Sequence, residues 1–509
     1  MQQTNGLNSR PNFLIFIVDQ MNSFSLGFHD NPDIHTPNLD RLCTAGVSFG
    51  RAYCSNPVCS PSRATLHTGL TPRQHGLTTN GCLLADEIPT LPEQLADAGY
   101  RTHCAGKIHL HPFTTAERHR NETPISWESR QLWNEGVITE LPHPFYGYQT
   151  TDYVGGHVDY VNGDYVTDLE ARHPGSRAKL GQESAYHTLP NSETWRMPIE
   201  AERHYNHWIA DRSMDFLDSI QQGESFFLVT SFPDPHLPFA ACRPYSEMYA
   251  PAELTLPTTW NEPDHPCQYL AGRNWYPDQL DWDEAVLRES IAQTYGMITH
   301  IDDNVGRVLS HLTKVGLADN TVIAFLSDHG EYLGAHHLLS KGPWPYEQVV
   351  RVPYIWNAPD SIPQGRRDDV VSLLDFAPTI LDYAGISQES MFMRGNWHCD
   401  FVGLPGRSLR EAITSSDSLD DTGALVEFDD DYRSGTMCRY RMLIKSRFKL
   451  TVYGGTGQGV LFDLEADPFE RRNLWNEPAY LESKCGMLSD LTDRLAWTDR
   501  LDNHRYCGS

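Results

Sequence analysis

The chain has no apolar run approaching the roughly 18 successive residues needed to cross a bilayer, so a helical membrane protein is not expected. Basic residues are scarce. Forty Lys and Arg stand against 67 Asp and Glu, for a formal charge of -27. A field of that sign repels polyanions, so neither nucleic acid nor an anionic membrane surface is an expected partner. The segment from Met1 to Pro11 lacks a basic stretch followed by an apolar core and a small-residue cleavage site, and a cytoplasmic location is the expectation. Internal repeats, low-complexity tracts and paired Cys-x-x-Cys spacings are missing as well. Eleven cysteines, an odd number at irregular spacing, make no disulfide framework and read mostly as reduced thiols.

What is present is ample material for a core. With 39% hydrophobic and 11% aromatic residues over 509 positions, the chain suits two or three domains, or one large α/β domain with an appendage. Short unbroken apolar runs at 13 to 18, 226 to 232, 321 to 326 and 352 to 356 suit strands buried on both faces of a parallel sheet. Between them lie helical patterns. Ile291, Tyr295, Ile298, Ile301, Val305, Val308 and Leu312 recur at steps of three and four before Gly316; Leu91 to Ala98 and Leu373 to Ala384 behave alike. Strands alternating with helices predict a large, mostly parallel sheet sandwiched by helices.

Beyond residue 385 the texture changes. Tyr440 to Tyr453, the turn Gly454 to Gly459 and Val460 to Leu464 form a hairpin signature, and a helix is expected near 479 to 496. We therefore expect a catalytic domain over 1–385 and a smaller C-terminal subdomain with an antiparallel sheet over 386–509. The stretch 110–205, rich in His, Trp, Tyr, Pro and Gly, has weak periodicity and is compatible with a substrate-shaping insertion or a long surface excursion.

Ligand sites of open α/β sheets lie beyond the carboxyl ends of the strands. Asp19 and the pair Asp328-His329 each follow an apolar strand at once. Folding could join them into a divalent metal site, with Gln20 as a further oxygen ligand. Cys59 opens Cys59-Ser60-Pro61-Ser62-Arg63, where Pro61 suits a first helical turn. A cysteine there faces backbone N–H groups that favour anions.

Cys-x-Pro-x-Arg, continued by Ala64-Thr65-Leu66-His67-Thr68-Gly69, resembles the signature by which type I sulfatases have their cysteine converted to formylglycine. Further segments match that family in order: Thr36-Pro37-Asn38-Leu39-Asp40, Gly106-Lys107-Ile108-His109, Pro235-His236-Leu237-Pro238-Phe239, and Ser327-Asp328-His329-Gly330-Glu331 through Lys341 to Pro353. The resemblance spans about 12 to 385 and continues into a tail similar to the sulfatase C-terminal subdomain. It implies an alkaline phosphatase-like fold and hydrolysis of a sulfate monoester to alcohol and sulfate. It also implies Asp19, Gln20, Cys59, Asp328 and His329 around one divalent metal, with formylglycine at position 59 as nucleophile.

Arg63, Lys107 and Lys341 would then form a positive island for the sulfate, His236 with Lys341 would protonate the leaving alcohol, and His109 would deprotonate the second hydroxyl of the hydrated aldehyde. Asn80 resembles a substrate-contacting amide. The Asp-Gln and Asp-His pairings are similar to choline sulfatases and phosphonate monoester hydrolases, so a phosphonate monoester or phosphodiester substrate is the alternative. Calcium is favoured on family grounds, while an imidazole ligand leaves manganese or zinc open. Expected partners are a small-molecule or carbohydrate sulfate ester and a formylglycine-generating enzyme; a homo-oligomer is compatible with the sequence. Trp127, Trp133, Trp195, Trp208 and Trp344 are candidates for stacking on a sugar, and equally for packing in the core.

Overall fold

The computed structural model describes residues 10–114, 126–190, 192–262, 265–267, 269–271, 282–392, 403–430 and 437–498. In chain order the first strands are β1 (Asn12–Val18), β2 (Val47–Tyr53), β3 (Arg101–Gly106), β4 (Thr150–Gly155) and β5 (Asn162–Gly163). A short ribbon, β6 (His187–Thr188) and β7 (Trp195–Arg196), precedes β8 (Phe226–Phe232), β9 (Thr321–Ser327), β10 (Tyr354–Asn357) and β11 (Gly365–Ser372). Nine of them form one sheet in the order β11-β2-β10-β9-β1-β8-β3-β4-β5.

The centre of that sheet, β9-β1-β8-β3-β4, is parallel throughout. The apolar run ending at Trp356 departs from the parallel expectation: β10 starts at Tyr354 and runs antiparallel to both β9 and β2. The long segment from Asp328 to Pro353 ends on the same edge of the sheet at which β9 ended, so β10 runs back antiparallel to it.

Strand β1 shows why the sheet is covered on both sides. Phe13, Ile15 and Ile17 enter one apolar cluster, and Leu14, Phe16 and Val18 enter another. With a side-chain period of two, a strand apolar at every position must bury both faces. The helix Glu284–Lys314 carries the predicted repeat onto the second cluster, burying Ile291, Ile298, Ile301, Val305, Val308 and Leu312. Asp283 starts this helix by accepting from Val286 N at 3.0 Å.

The C-terminal part holds an antiparallel sheet of β12 (Ala424–Asp430), β13 (Cys438–Lys445), β14 (Phe448–Tyr453) and β15 (Gly459–Asp463). The helix Leu481–Trp497 closes it, with Met487 and Leu491 against Leu443, Leu450 and Leu461. The hairpin signature was legible in β13 to β15; β12 was not foreseen. Its sequence, Ala-Leu-Val-Glu-Phe-Asp-Asp, ends in charges that obscure the strand pattern. A buried Lys449 on β14 bridges Glu347 at 3.1 Å and Glu470, joining this sheet to the segment after β9.

Candidate active site

Four neighbouring parallel strands, β9, β1, β8 and β3, end on the same edge, and each delivers chemistry just past its last residue. Val18 pairs with Ser327 in register, so Asp19 and Asp328 emerge side by side. His236 follows β8 and Lys107 follows β3 directly. Gly106 makes the last step feasible. At φ +111 a Cβ there would lie 1.9 Å from the Ser231 carbonyl oxygen, so only glycine keeps β3 against β8 while Lys107 N donates to Ser231 O.

Cys59 arrives from outside the sheet, as the first residue of the helix Cys59–Thr68, all ten of whose residues are buried. Asn80 Oδ1 accepts from Ser60 N at 3.0 Å, satisfying a donor that this helix leaves open. The Cys59 thiol lies 3.1 Å from His329 Nε2, 3.4 Å from Asp19 Oδ1 and 2.9 Å from Lys341 Nζ.

The residues expected at the metal do converge. Among the described residues, ligand atoms of Asp19, Cys59, Asp328 and His329 all lie within 4.8 Å of one another. His329 Nε2 stands 3.6 Å from Asp19 Oδ1 and 3.8 Å from Asp328 Oδ1. His329 Nδ1–H donates to Gly330 O at 2.9 Å, which leaves Nε2 as the bare ligand nitrogen. Burial lowers the His329 pKa to about 4, so the imidazole is neutral as coordination requires. Gln20 Oε1 accepts from Lys341 Nζ at 2.8 Å, and Gln20 Nε2 donates to Glu331. Two buried carboxylates and a neutral imidazole at these separations fit a divalent cation, while the Gln20 amide oxygen is engaged by Lys341.

Cations surround the same point. Arg63 Nε donates to Asp328 Oδ2 at 2.7 Å, while its Nη1 donates to Lys107 O and Ser231 Oγ, each at 3.0 Å. Lys107 Nζ bonds Asp19. Burial alone would raise the Asp19 pKa; Lys107, His236, Arg63 and Lys341 together hold it well below the usual carboxylate range. The Cys59 thiol moves the other way, pushed up to about 11 by burial and by Asp19, with Lys341 and Lys107 opposing. Three buried cations against Asp19 and Asp328 make the positive island anticipated within an acidic chain.

These groups open onto a cavity of about 480 Å³ lined by Cys59, Asn80, Lys107, His109, His236 and Lys341, among others. Much of the rest of its wall comes from 113–193, including Phe113, Glu128, Arg130, Tyr153, His157 and Tyr160. None of the five tryptophans lines it. Trp133, Trp195 and Trp344 are buried in the interior, and Trp127 and Trp208 pack against core clusters. These five rings serve the core, and among the described residues the phenyl and phenol rings on the cavity wall are Phe113, Tyr153 and Tyr160.

Several supporting residues carried no assignment from sequence. Glu128 accepts from His109, Leu110 and His111 N at 2.6, 2.7 and 2.7 Å and holds the loop that presents His109. The His157 ring stacks on His236, centroids 3.6 Å apart and 8° from parallel. Glu128 and His157 lie in the weakly periodic 110–205 stretch, where only folding reveals a partner. Glu331, whose pKa burial raises to about 7, sits inside a motif that was legible, but its contact with Gln20 was not.

Comparisons with known proteins agree with this geometry. The sulfatase family model matches residues 11–386, and that for the C-terminal part of N-sulphoglucosamine sulphohydrolase matches 334–496. The chain is 29% identical to an arylsulfatase of Clostridium perfringens over 483 residues, covering 93% of this chain and 92% of the relative. It is 28% identical to a choline-sulfatase of Rhizobium meliloti, covering 92% and 83%. In fold it is similar to the phosphonate monoester hydrolase of Agrobacterium radiobacter, with a TM-score of 0.78, 23% identity and 96% of each chain covered. The chain belongs to the sulfatase family of sulfuric ester hydrolases, on an alkaline phosphatase-like fold.

Proposed function

We propose that this protein hydrolyses a sulfate monoester to an alcohol and inorganic sulfate, using formylglycine made from Cys59. The observation that carries the reading is the position of Cys59: at the start of a buried helix, inside the cluster of Asp19, Asp328 and His329, and 2.9 Å from Lys341 Nζ. When formed, the hydrated aldehyde supplies one hydroxyl to attack sulfur and a second whose deprotonation releases sulfate. Asp19, Gln20, Asp328 and His329 would hold a divalent cation beside it, which supplies Lewis-acid charge next to the nucleophile and the sulfuryl oxygens.

The chain's own residues do the rest. Lys107 and Lys341 both line the cavity with Cys59 and would grip the sulfuryl oxygens where water is excluded. Arg63, fully enclosed, holds Asp328 and the Lys107 carbonyl in place.

His236 Nδ1–H donates to Leu237 O, so its Nε2 accepts from Lys341 Nζ at 2.6 Å. The leaving alkoxide would therefore take its proton from the Lys341–His236 pair. His109, whose pKa burial and then Lys107 and Arg63 hold well below the usual histidine value, is neutral and able to accept a proton from the second hydroxyl.

Cys59 is 1% exposed, so a maturation enzyme would have to meet it before the helix packs. The cavity walls mix Arg130 with Glu193 and Asp430, which suits a small or carbohydrate ester better than a densely charged polymer. Specificity constants on aryl sulfate and aryl phosphonate esters with matched leaving groups test the reading. We expect preference for the sulfate; preference for the phosphonate, compatible with the Gln20 and His329 pattern, would replace it.

A further inference from the structure

Away from the cavity, three metal-binding side chains meet inside the apolar cluster that covers the other face of the sheet. His204 precedes the helix Tyr205–Asp218, Cys242 lies in the loop after β8, and His300 sits midway along Glu284–Lys314. All three are 2% exposed or less. Cys242 Sγ lies 3.4 Å from His300 Nδ1, and one ligand atom of each residue falls within 4.8 Å of the others.

Bonds of about 2.3 Å to sulfur and 2.0–2.1 Å to nitrogen place neighbouring ligands of a tetrahedral zinc roughly 3.3–3.6 Å apart. The Cys242–His300 pair already has that spacing, and His204 needs a shift of no more than about 1.5 Å. One further atom points to a ligand. The Nε2 atom of His204 is buried without a hydrogen-bond partner, a rare condition for buried nitrogen. His204 Nδ1 has only a 3.3 Å contact, from Asn206 N.

We propose that His204, Cys242 and His300 bind one zinc ion through two neutral imidazoles and a thiolate, as a structural site separate from the catalytic cluster. Burial holds both histidines neutral and keeps the unliganded thiol protonated, so uptake releases one proton, from Cys242.

The position gives the ion a purpose. Cys242 lies six residues beyond His236, and next to His204 both Tyr205 and Asn206 bond Asp234, two residues before His236. A cation here ties the loop bearing His236 to two helices.

The test uses full-length protein matured in a host that converts Cys59, so that position 59 carries no sulfur, grown with added zinc and then desalted. Zinc-edge X-ray absorption should show sulfur among the zinc neighbours. Elemental analysis should show about one zinc per chain fewer in Cys242→Ser than in the parent, and no such loss in Cys485→Ser, a change at an exposed cysteine. The melting temperature of the parent should fall when zinc is stripped, and that of Cys242→Ser should not respond. Bound zinc with no sulfur neighbour, or a sulfur neighbour that persists in Cys242→Ser, overturns the proposal, as does protein that takes up no zinc at this stoichiometry. Should Cys242→Ser fail to fold, the sulfur neighbour in the parent decides. None of these readouts depends on which ester is hydrolysed.

Discussion

Lys341 Nζ stands 2.6 Å from His236 Nε2. Because His236 Nδ1 is committed to Leu237 O, the ammonium is the donor and the imidazole the acceptor. The pair thus stores one transferable proton next to Cys59. Lys341→Ala and His236→Ala should each lower kcat/KM by about 10²–10⁴-fold for an alkyl sulfate, whose leaving oxygen needs protonation. The loss should shrink for p-nitrophenyl sulfate, whose phenolate leaves unaided. Brønsted slopes against leaving-group pKa check this; equal losses across the series would exclude proton donation.

Maturation should depend on folding, since Cys59 lies inside a helix with every residue buried. A peptide spanning 50–75 should be converted by a formylglycine-generating enzyme, while folded, unconverted protein should not be. Mass spectrometry of the Cys59 peptide reads both.

Arg63 is the sole enclosed guanidinium contacting Asp328, Lys107 O and Ser231 among the described residues. Removing it takes the buried guanidinium partner from Asp328 and leaves Asp19 to Lys107. Arg63→Ala should destabilise the protein by about 3–5 kcal/mol and abolish turnover. Chemical denaturation gives the first quantity and a sulfate-release assay the second.

The catalytic cluster should need its cation. Chelation should remove activity, and added divalent metal should restore it. Asp19→Asn should raise the half-saturating metal concentration by at least about 10–100-fold, given what weaker outer contacts are worth. Titration of metal-free enzyme with calcium, manganese and zinc in turn measures this and identifies the metal.

Acid should loosen the helix Cys59–Thr68 through His67. This ring donates from Nδ1 to Arg63 O at 2.7 Å and meets Tyr148 at 3.0 Å; burial lowers its pKa from 6.5 to about 4. A histidine depressed on folding contributes stability that is complete above its unfolded pKa. That stability is lost as pH falls through the window from 6.5 to 4, by up to about 3 kcal/mol. Denaturation midpoints between pH 7 and 4 should therefore fall less steeply for His67→Gln than for the parent.

The hydrophobic runs that became β1, β8 and β9 were legible because a strand buried on both faces leaves no polar alternation. So was the helix Glu284–Lys314, from its steps of three and four. The antiparallel turn of β10 was not, since an apolar run has no direction. The tryptophans stayed undecided for a related reason: an aromatic ring reads the same whether it packs in a core or faces a cavity, and Trp344 proved fully buried.

By itself the sequence determined the inventory: which residues end each apolar run, and that Cys59 opens a helix with Pro61 and Arg63 behind it. Those are local facts, governed by the chain within a few residues. Tertiary structure alone decided their company. The register of β9, β1, β8 and β3 sets Asp328, Asp19, His236 and Lys107 on one edge, and helix packing brings Cys59 to them. It also gave His109 its Glu128, His236 its stacked His157, and three distant residues, His204, Cys242 and His300, a common pocket. Such contacts span up to hundreds of residues. They are selected by burial and hydrogen bonding in the folded state, and no local pattern encodes them.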